Sequence, residues 1–154
     1  MIAEETIVLL KNQDDILPLS MDKKIAFIGK YAVKPRFQGG GSSHIDCIKV
    51  TSAMDEVMSQ NIDCVTYAQG FDDAEDVIDD KLEAQAVKLA KESDIAVIFA
   101  GLPDAFESEG FDRKHMHMPQ SQNHLISEIA KVQPNVVVVL HNGSPVEMPW
   151  IDDV

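Results

Sequence analysis

The chain contains no apolar run approaching the ~20 residues that cross a bilayer, and no charged-then-apolar leader opens it. Neither observation settles a compartment. Positive charge is scarce: 13 Lys and Arg stand against 26 Asp and Glu, for a formal net charge of −13. Nucleic acid and anionic membrane both require a positive surface, so neither is an expected partner. Cysteine is scarce as well. Cys47 and Cys64 are too few for a disulfide framework and lack metal-ligand spacing, so they read as small residues to be buried.

Several chemical signatures are missing. Gly39-Gly40-Gly41-Ser42-Ser43 is neither Gly-x-Gly-x-x-Gly nor a Walker loop ending in Lys-Ser/Thr, and it stands well past a strand end. Gly143-Ser144 is not the Gly-x-Ser-x-Gly elbow of a serine nucleophile. The Asp- and Glu-rich run from Phe71 to Asp80 lacks the glycine and closing glutamate of a calcium loop, and reads as a solvated linker and helix start. His115-x-His117, with His124 nearby, has no Cys or carboxylate at supporting spacing, so these are expected to be surface histidines. No metal and no cofactor is expected. Internal repeats, low-complexity segments and hairpin signals are absent.

What remains is a regular alternation. At 154 residues and 45% hydrophobic content the chain suits one domain with one core. Ile2, Thr6, Leu9 and Leu10 recur at helical spacing, and Pro18 then breaks the chain before the strand Ile25 to Gly29. That run is apolar on both parities, as in a parallel strand covered on two faces. After the glycine loop, Val50, Ala53, Met54, Val57 and Met58 form a helical stripe, with Ser52 and Asp55 spaced to close its first turn. A strand is predicted over Cys64 to Ala68, followed by the stripe Ile78, Leu82, Ala86 and Leu89. Ile95 to Ala100 is a further strand, then a helix with Leu125, Ile129 and Val132 on one side, then the strand Val136 to Leu140. This pattern predicts an α/β fold with a mostly parallel sheet.

A short way past Ile95 to Ala100 comes Glu107-Ser108-Glu109-Gly110-Phe111-Asp112-Arg113. Loops at the carboxyl ends of parallel strands are where such proteins build sites. A glutamate beside an Arg and a second carboxylate can be tuned as a general acid/base; a solvated charged loop has the same composition. Trp150 could stack on a sugar ring, although burial against the sheet or another domain suits it better.

Glu109-Gly110-x-Asp112-Arg113 resembles the acid/base loop of glycoside hydrolase family 3, the β-glucosidases and β-xylosidases. Other segments resemble the same family in order from about Ala3 to Trp150. Leu9-Leu10-Lys11-Asn12, Leu17-Pro18-Leu19 and Lys24 to Gly29 are similar to the opening of its second domain. Gln38 to Ser43 is similar to its glycine-rich loop, and Val136 to Leu140 with Gly143 to Trp150 to its later strand and turn.

The resemblance implies a three-layer α/β sandwich over residues 1–154, a single domain cut short at its C-terminal end, with the family's catalytic (β/α)8 barrel absent. It implies retaining hydrolysis of β-linked glucosides or oligosaccharides, which needs two carboxyl groups about 5–5.5 Å apart. Glu109 would be the acid/base, with Glu107 as fallback. Asp112 and Arg113 would hold the loop and set its charge, and Gly39, Gly40, Gly41 and Ser42 would form the substrate edge. The nucleophilic aspartate would belong to the barrel, the missing partner domain, so the chain alone should not turn over. The alternative is a noncatalytic α/β sugar- or nucleotide-binding or interaction module whose acidic loop is only surface.

Overall fold

The computed structural model describes residues 5–110 and 112–154, apart from the side chain of Ser43. Four strands, β1 (Ile25–Ile28), β2 (Val65–Ala68), β3 (Ile95–Gly101) and β4 (Val136–His141), form one sheet in the order β2-β1-β3-β4. All three pairings are parallel, with Ile25 opposite both Val65 and Ile95, and Ala96 opposite Val136. The helices α1 (Ala53–Ser59), α2 (Asp80–Lys91) and α3 (Gln120–Ala130) fill the crossovers. The expected strand and helix alternation is therefore present, and the sheet is parallel throughout.

Central position follows side-chain size as well as apolarity. β3 is buried at every residue, and small Ala96 and Ala100 share a face with Ala26 and Ile28. That face receives α2 and α3: Gly70 lies against Leu125, Ile28 and Ala86 together. Ala86, Ala90, Leu125, Ile126 and Ile129 complete this half of the core. The opposite face carries Phe27 and Phe99, whose ring centroids are 4.9 Å apart. Parallel units cross over right-handedly, and β1 to β2 steps one way while β2 to β3 and β3 to β4 step the other. Hence α1 belongs to the Phe27 face, giving three layers. β4, all apolar from Val136 to Leu140, lies at the sheet edge and leaves Val139 37% exposed.

The starts of α1, α2 and α3 are capped, in different ways. Ser52 and Asp55 form the expected capping box of α1, with the Asp55 N–H donating to Ser52 Oγ at 3.1 Å and the Ser52 N–H to Asp55 Oδ2 at 2.8 Å. Asp79 accepts the Lys81 and Leu82 N–H groups at the head of α2. Pro119, at the head of α3, offers no side-chain acceptor. Asp76 takes that place from across the fold, accepting the N–H groups of Gln120 at 2.8 Å and Ser121 at 2.9 Å. The acidic run is thus a linker that starts one helix and caps another, while Asp72 and Asp73 pair with Lys30.

Of the first predicted helix, Glu5 is helical, but the helix does not continue to Leu10 as expected. Ile2 lies outside the described residues; Ile7 to Leu10 have no regular structure and are 66–78% exposed. Helical spacing alone does not sustain a short helix, and no face of the domain lies against these four residues to pack it. The stripes also overreach at their ends: Val50, Met58, Ile78 and Val132 are exposed. Cys47 is exposed on the long β1–α1 loop, contrary to the expected burial, whereas Cys64 is half-buried at the foot of β2. Loops run on the surface, so position in the fold overrides the burial habit of the residue type. Trp150 is 2% exposed and donates to Asn123 Oδ1 at 2.8 Å, so no sugar ring can stack on it. No helix among the described residues is long and apolar enough to cross a membrane.

Chain reversal at the sheet centre locates the site. The connection leaving β1 turns toward β2 and the one leaving β3 turns toward β4, which opens a crevice at their carboxyl ends. Gly29, with φ 110°, makes the exit from β1, where a Cβ would strike the carbonyl of Phe99 on the neighbouring strand.

Candidate active site

The two loops singled out in the sequence meet on this rim. The β1–α1 loop brings Gly39, Gly40 and Ser42 against Glu107, Ser108 and Glu109 of the β3–α3 loop, and these residues line one shallow, open cleft. Parallel strands deliver both loops to the same edge, so residues 67 positions apart touch.

Glu107 and Glu109, separated by Ser108, serve different surroundings. Glu107 points inward to a set of donors: Arg36 Nη1 at 2.6 Å, Ser144 Oγ at 2.6 Å and the Gly143 N–H at 3.0 Å. Arg36 Nη2 also donates to the Glu107 carbonyl at 2.9 Å, and Arg36 Nε to Asp104 at 3.1 Å. Partial burial pushes the Glu107 carboxyl up, but the donors from Ser144, Gly143 and Arg36 outweigh it and leave the pKa below the ordinary carboxylate value. Glu107 is therefore an anionic tie joining the loops after β1, β3 and β4. His141 at the end of β4 supports this tie, its Nδ1 lying 3.2 Å from the Arg36 carbonyl. Burial holds the His141 imidazole below its usual pKa, despite the opposing contact to Arg36.

Glu109 faces out. Its Oε2 accepts the Ser42 N–H at 2.6 Å and its Oε1 the Ser42 hydroxyl at 3.2 Å. The Ser42 N–H, then its hydroxyl, hold the carboxyl below the ordinary range. Gly41, with φ 72°, permits the approach, since a Cβ there would collide with the Glu109 carboxylate. The result is an oriented, solvent-facing carboxylate, open to whatever covers the rim.

Arg113 and Asp112 occupy different positions. Arg113 Nη1 donates to Ser144 Oγ at 2.7 Å and to the Pro145 carbonyl at 3.2 Å, so it buttresses the loop after β4. Its guanidinium reaches Glu107 only through Ser144, and the arginine beside a glutamate is Arg36. Asp112 is exposed; Phe111 between Gly110 and Asp112 lies outside the described residues. Arg36, Asp104, Gly143 and Ser144 are the site residues that sequence reasoning missed. In sequence Ser144 stands out only as a nucleophile without its elbow, and nothing in a linear reading pairs Arg36 with a glutamate 71 residues away.

The histidines do not converge. His115 and His117 stack with ring centroids 4.8 Å apart, and His117 Nδ1 contacts Glu147 at 2.6 Å. His124 faces Glu83 at 3.4 Å. Among the described residues no group of His, Cys, Asp or Glu is arranged to hold a metal ion.

Known proteins share this arrangement of chain. The profile of the glycosyl hydrolase family 3 C-terminal domain matches residues 7–154. Thermostable β-glucosidase B of Acetivibrio thermocellus is 53% identical over 154 residues, which cover 99% of this chain and 20% of that protein. An exo-α-(1→6)-L-arabinopyranosidase of Bifidobacterium breve is 46% identical, with 96% of this chain and 21% of that protein covered. The crystal structure of a family 3 β-glucosidase from Bifidobacterium adolescentis superposes with a TM-score of 0.89 at 47% identity, over 95% of this chain and 21% of that one. The chain thus spans about a fifth of the length of these relatives.

Proposed function

The chain belongs to glycosyl hydrolase family 3, as its C-terminal domain, and from that premise we propose that it supplies the general acid/base, Glu109, of a retaining β-glycosidase acting on β-D-glucosides. One observation carries the choice between the glutamates. Glu107 spends its carboxylate on Arg36, Ser144 and Gly143, whereas Glu109 stands exposed on the rim and, among the described residues, is held by Ser42.

A general acid must keep its proton until the glycosidic oxygen needs it, so a pKa near the working pH serves best. In this chain Glu109 lies on the wrong side of that requirement. Covering the rim with the barrel that carries the nucleophile would remove water from the carboxylate and raise its pKa, since desolvation disfavours the charged form. Glu109 would then protonate the leaving oxygen while an aspartate of the barrel, about 5–5.5 Å away, attacks the anomeric carbon. Relatives of similar identity carry the names of a β-glucosidase and an arabinopyranosidase, which fits a segment that supplies acid/base chemistry while the barrel selects the sugar.

Full-length enzyme carrying Glu109→Ala or Glu107→Ala tests the reading across aryl and alkyl β-glucosides of graded leaving-group pKa. Glu109→Ala should slow poor leaving groups by about 10²–10⁴-fold and activated aryl glucosides far less in the first step. Glu107→Ala should loosen the loop and slow all substrates alike. The reverse pattern would exchange the two roles; leaving-group independence in both variants would end the proposal.

A further inference from the structure

Ser42 grips Glu109 with two different groups. Its N–H holds one carboxylate oxygen and its hydroxyl the other, at 2.6 and 3.2 Å, which fixes the rotation of the carboxylate. Gly41 is the condition for that grip, because any side chain at this position would occupy the carboxylate's place. Charges from the surrounding elements do not compete. In the cleft the other titratable side chain is Glu107, neutralised by Arg36. Further along the same loop, Arg113 is engaged with Ser144 and Asp112 is exposed.

We propose that Ser42 is a positioning residue for the acid/base: it aims the Glu109 carboxylate across the rim and favours the anion needed when water completes the reaction. The proposal rests on the reading of Glu109 given above. In the second step the water oxygen bonds to the anomeric carbon, the bond to the nucleophilic carboxylate breaks with its electron pair returning to that carboxylate, and the water proton passes to Glu109. In the first step the same carboxyl gives its proton to the leaving oxygen. A serine hydroxyl can donate or accept, so the grip adapts to both protonation states.

Ser42→Ala removes the hydroxyl contact, and Ser42→Pro also removes the N–H. Carboxyl titration by NMR in this chain should show the Glu109 midpoint rising in Ser42→Ala and further in Ser42→Pro, with the Glu107 midpoint unmoved. In the full-length enzyme the alkaline limb of kcat/KM should move to higher pH in the same order. Turnover limited by the second step should fall about tenfold, the scale of one hydrogen bond to a charged group. An unmoved Glu109 midpoint, or equal movement of Glu109 and Glu107, would overturn the proposal. If Ser42→Pro fails to fold by circular dichroism, Ser42→Ala decides by the same two readouts. Full activity of Glu109→Ala would instead remove the acid/base reading while leaving the titration result intact, so the two failures are distinct.

Discussion

Two glutamates separated by a single serine have opposite fates in this loop: Glu107 is consumed in a tie, and Glu109 is presented at the rim. Arg36 decides which is which. Arg36→Ala removes its contacts to the Glu107 carboxylate, the Glu107 carbonyl and Asp104. Because Glu107 retains 20% side-chain exposure, water relieves part of the stranded charge, and the loss should stay below the cost of breaking a fully buried pair, at about 1–3 kcal/mol. Urea denaturation checks this; unchanged stability would contradict the tie. Acid should weaken the same feature. The folded pKa of Glu107 lies below its unfolded value of 4.5, so its stabilisation is complete above that pH and lost as pH falls through the lower folded value. Glu107→Gln should flatten the stability profile below about pH 4.5, and an unaltered slope there would argue against the network. The Glu-Gly-x-Asp-Arg pattern made the glutamates legible, but adjacency suggested Arg113 as their partner. Arg36 was hidden because only the sheet brings it near.

Among the elements, legibility depended on whether the stabilising contact was local. The capping box of α1 is contained in four residues and could be read directly. The cap of α3 could not, since Asp76 lies 44 residues from the first N–H that it accepts. Asp76→Ala should cost about 1 kcal/mol, as loss of a helix cap does, with earlier hydrogen exchange in the first turn of α3 than in α2. Equal exchange in wild type and variant would show that the cap is dispensable. The stripe Ile2, Thr6, Leu9 and Leu10 failed in the other direction over its described part: the spacing is helical, but Leu9 and Leu10 stay exposed and irregular, because a short stripe becomes a helix only when a surface receives it. β4 is apolar throughout from Val136 to Leu140, yet it sits at the edge by topology.

For the whole molecule, the parallel sheet was legible because strands apolar on both parities must be covered twice, and the shared rim of the two loops follows from that sheet alone. What a linear reading lacks is the far side of the reaction. The isolated chain should hydrolyse no aryl β-glucoside above background, because proton donation without a positioned nucleophile contributes little; turnover by purified chain would contradict the division of labour between domains. The most direct measurement is chemical rescue in the full-length enzyme. With an activated aryl β-glucoside and azide, Glu109→Ala should recover rate and release β-glucosyl azide, since azide attacks the glycosyl-enzyme without a general base, whereas Glu107→Ala should yield only glucose. β-Glucosyl azide from Glu107→Ala and none from Glu109→Ala would contradict the assignment.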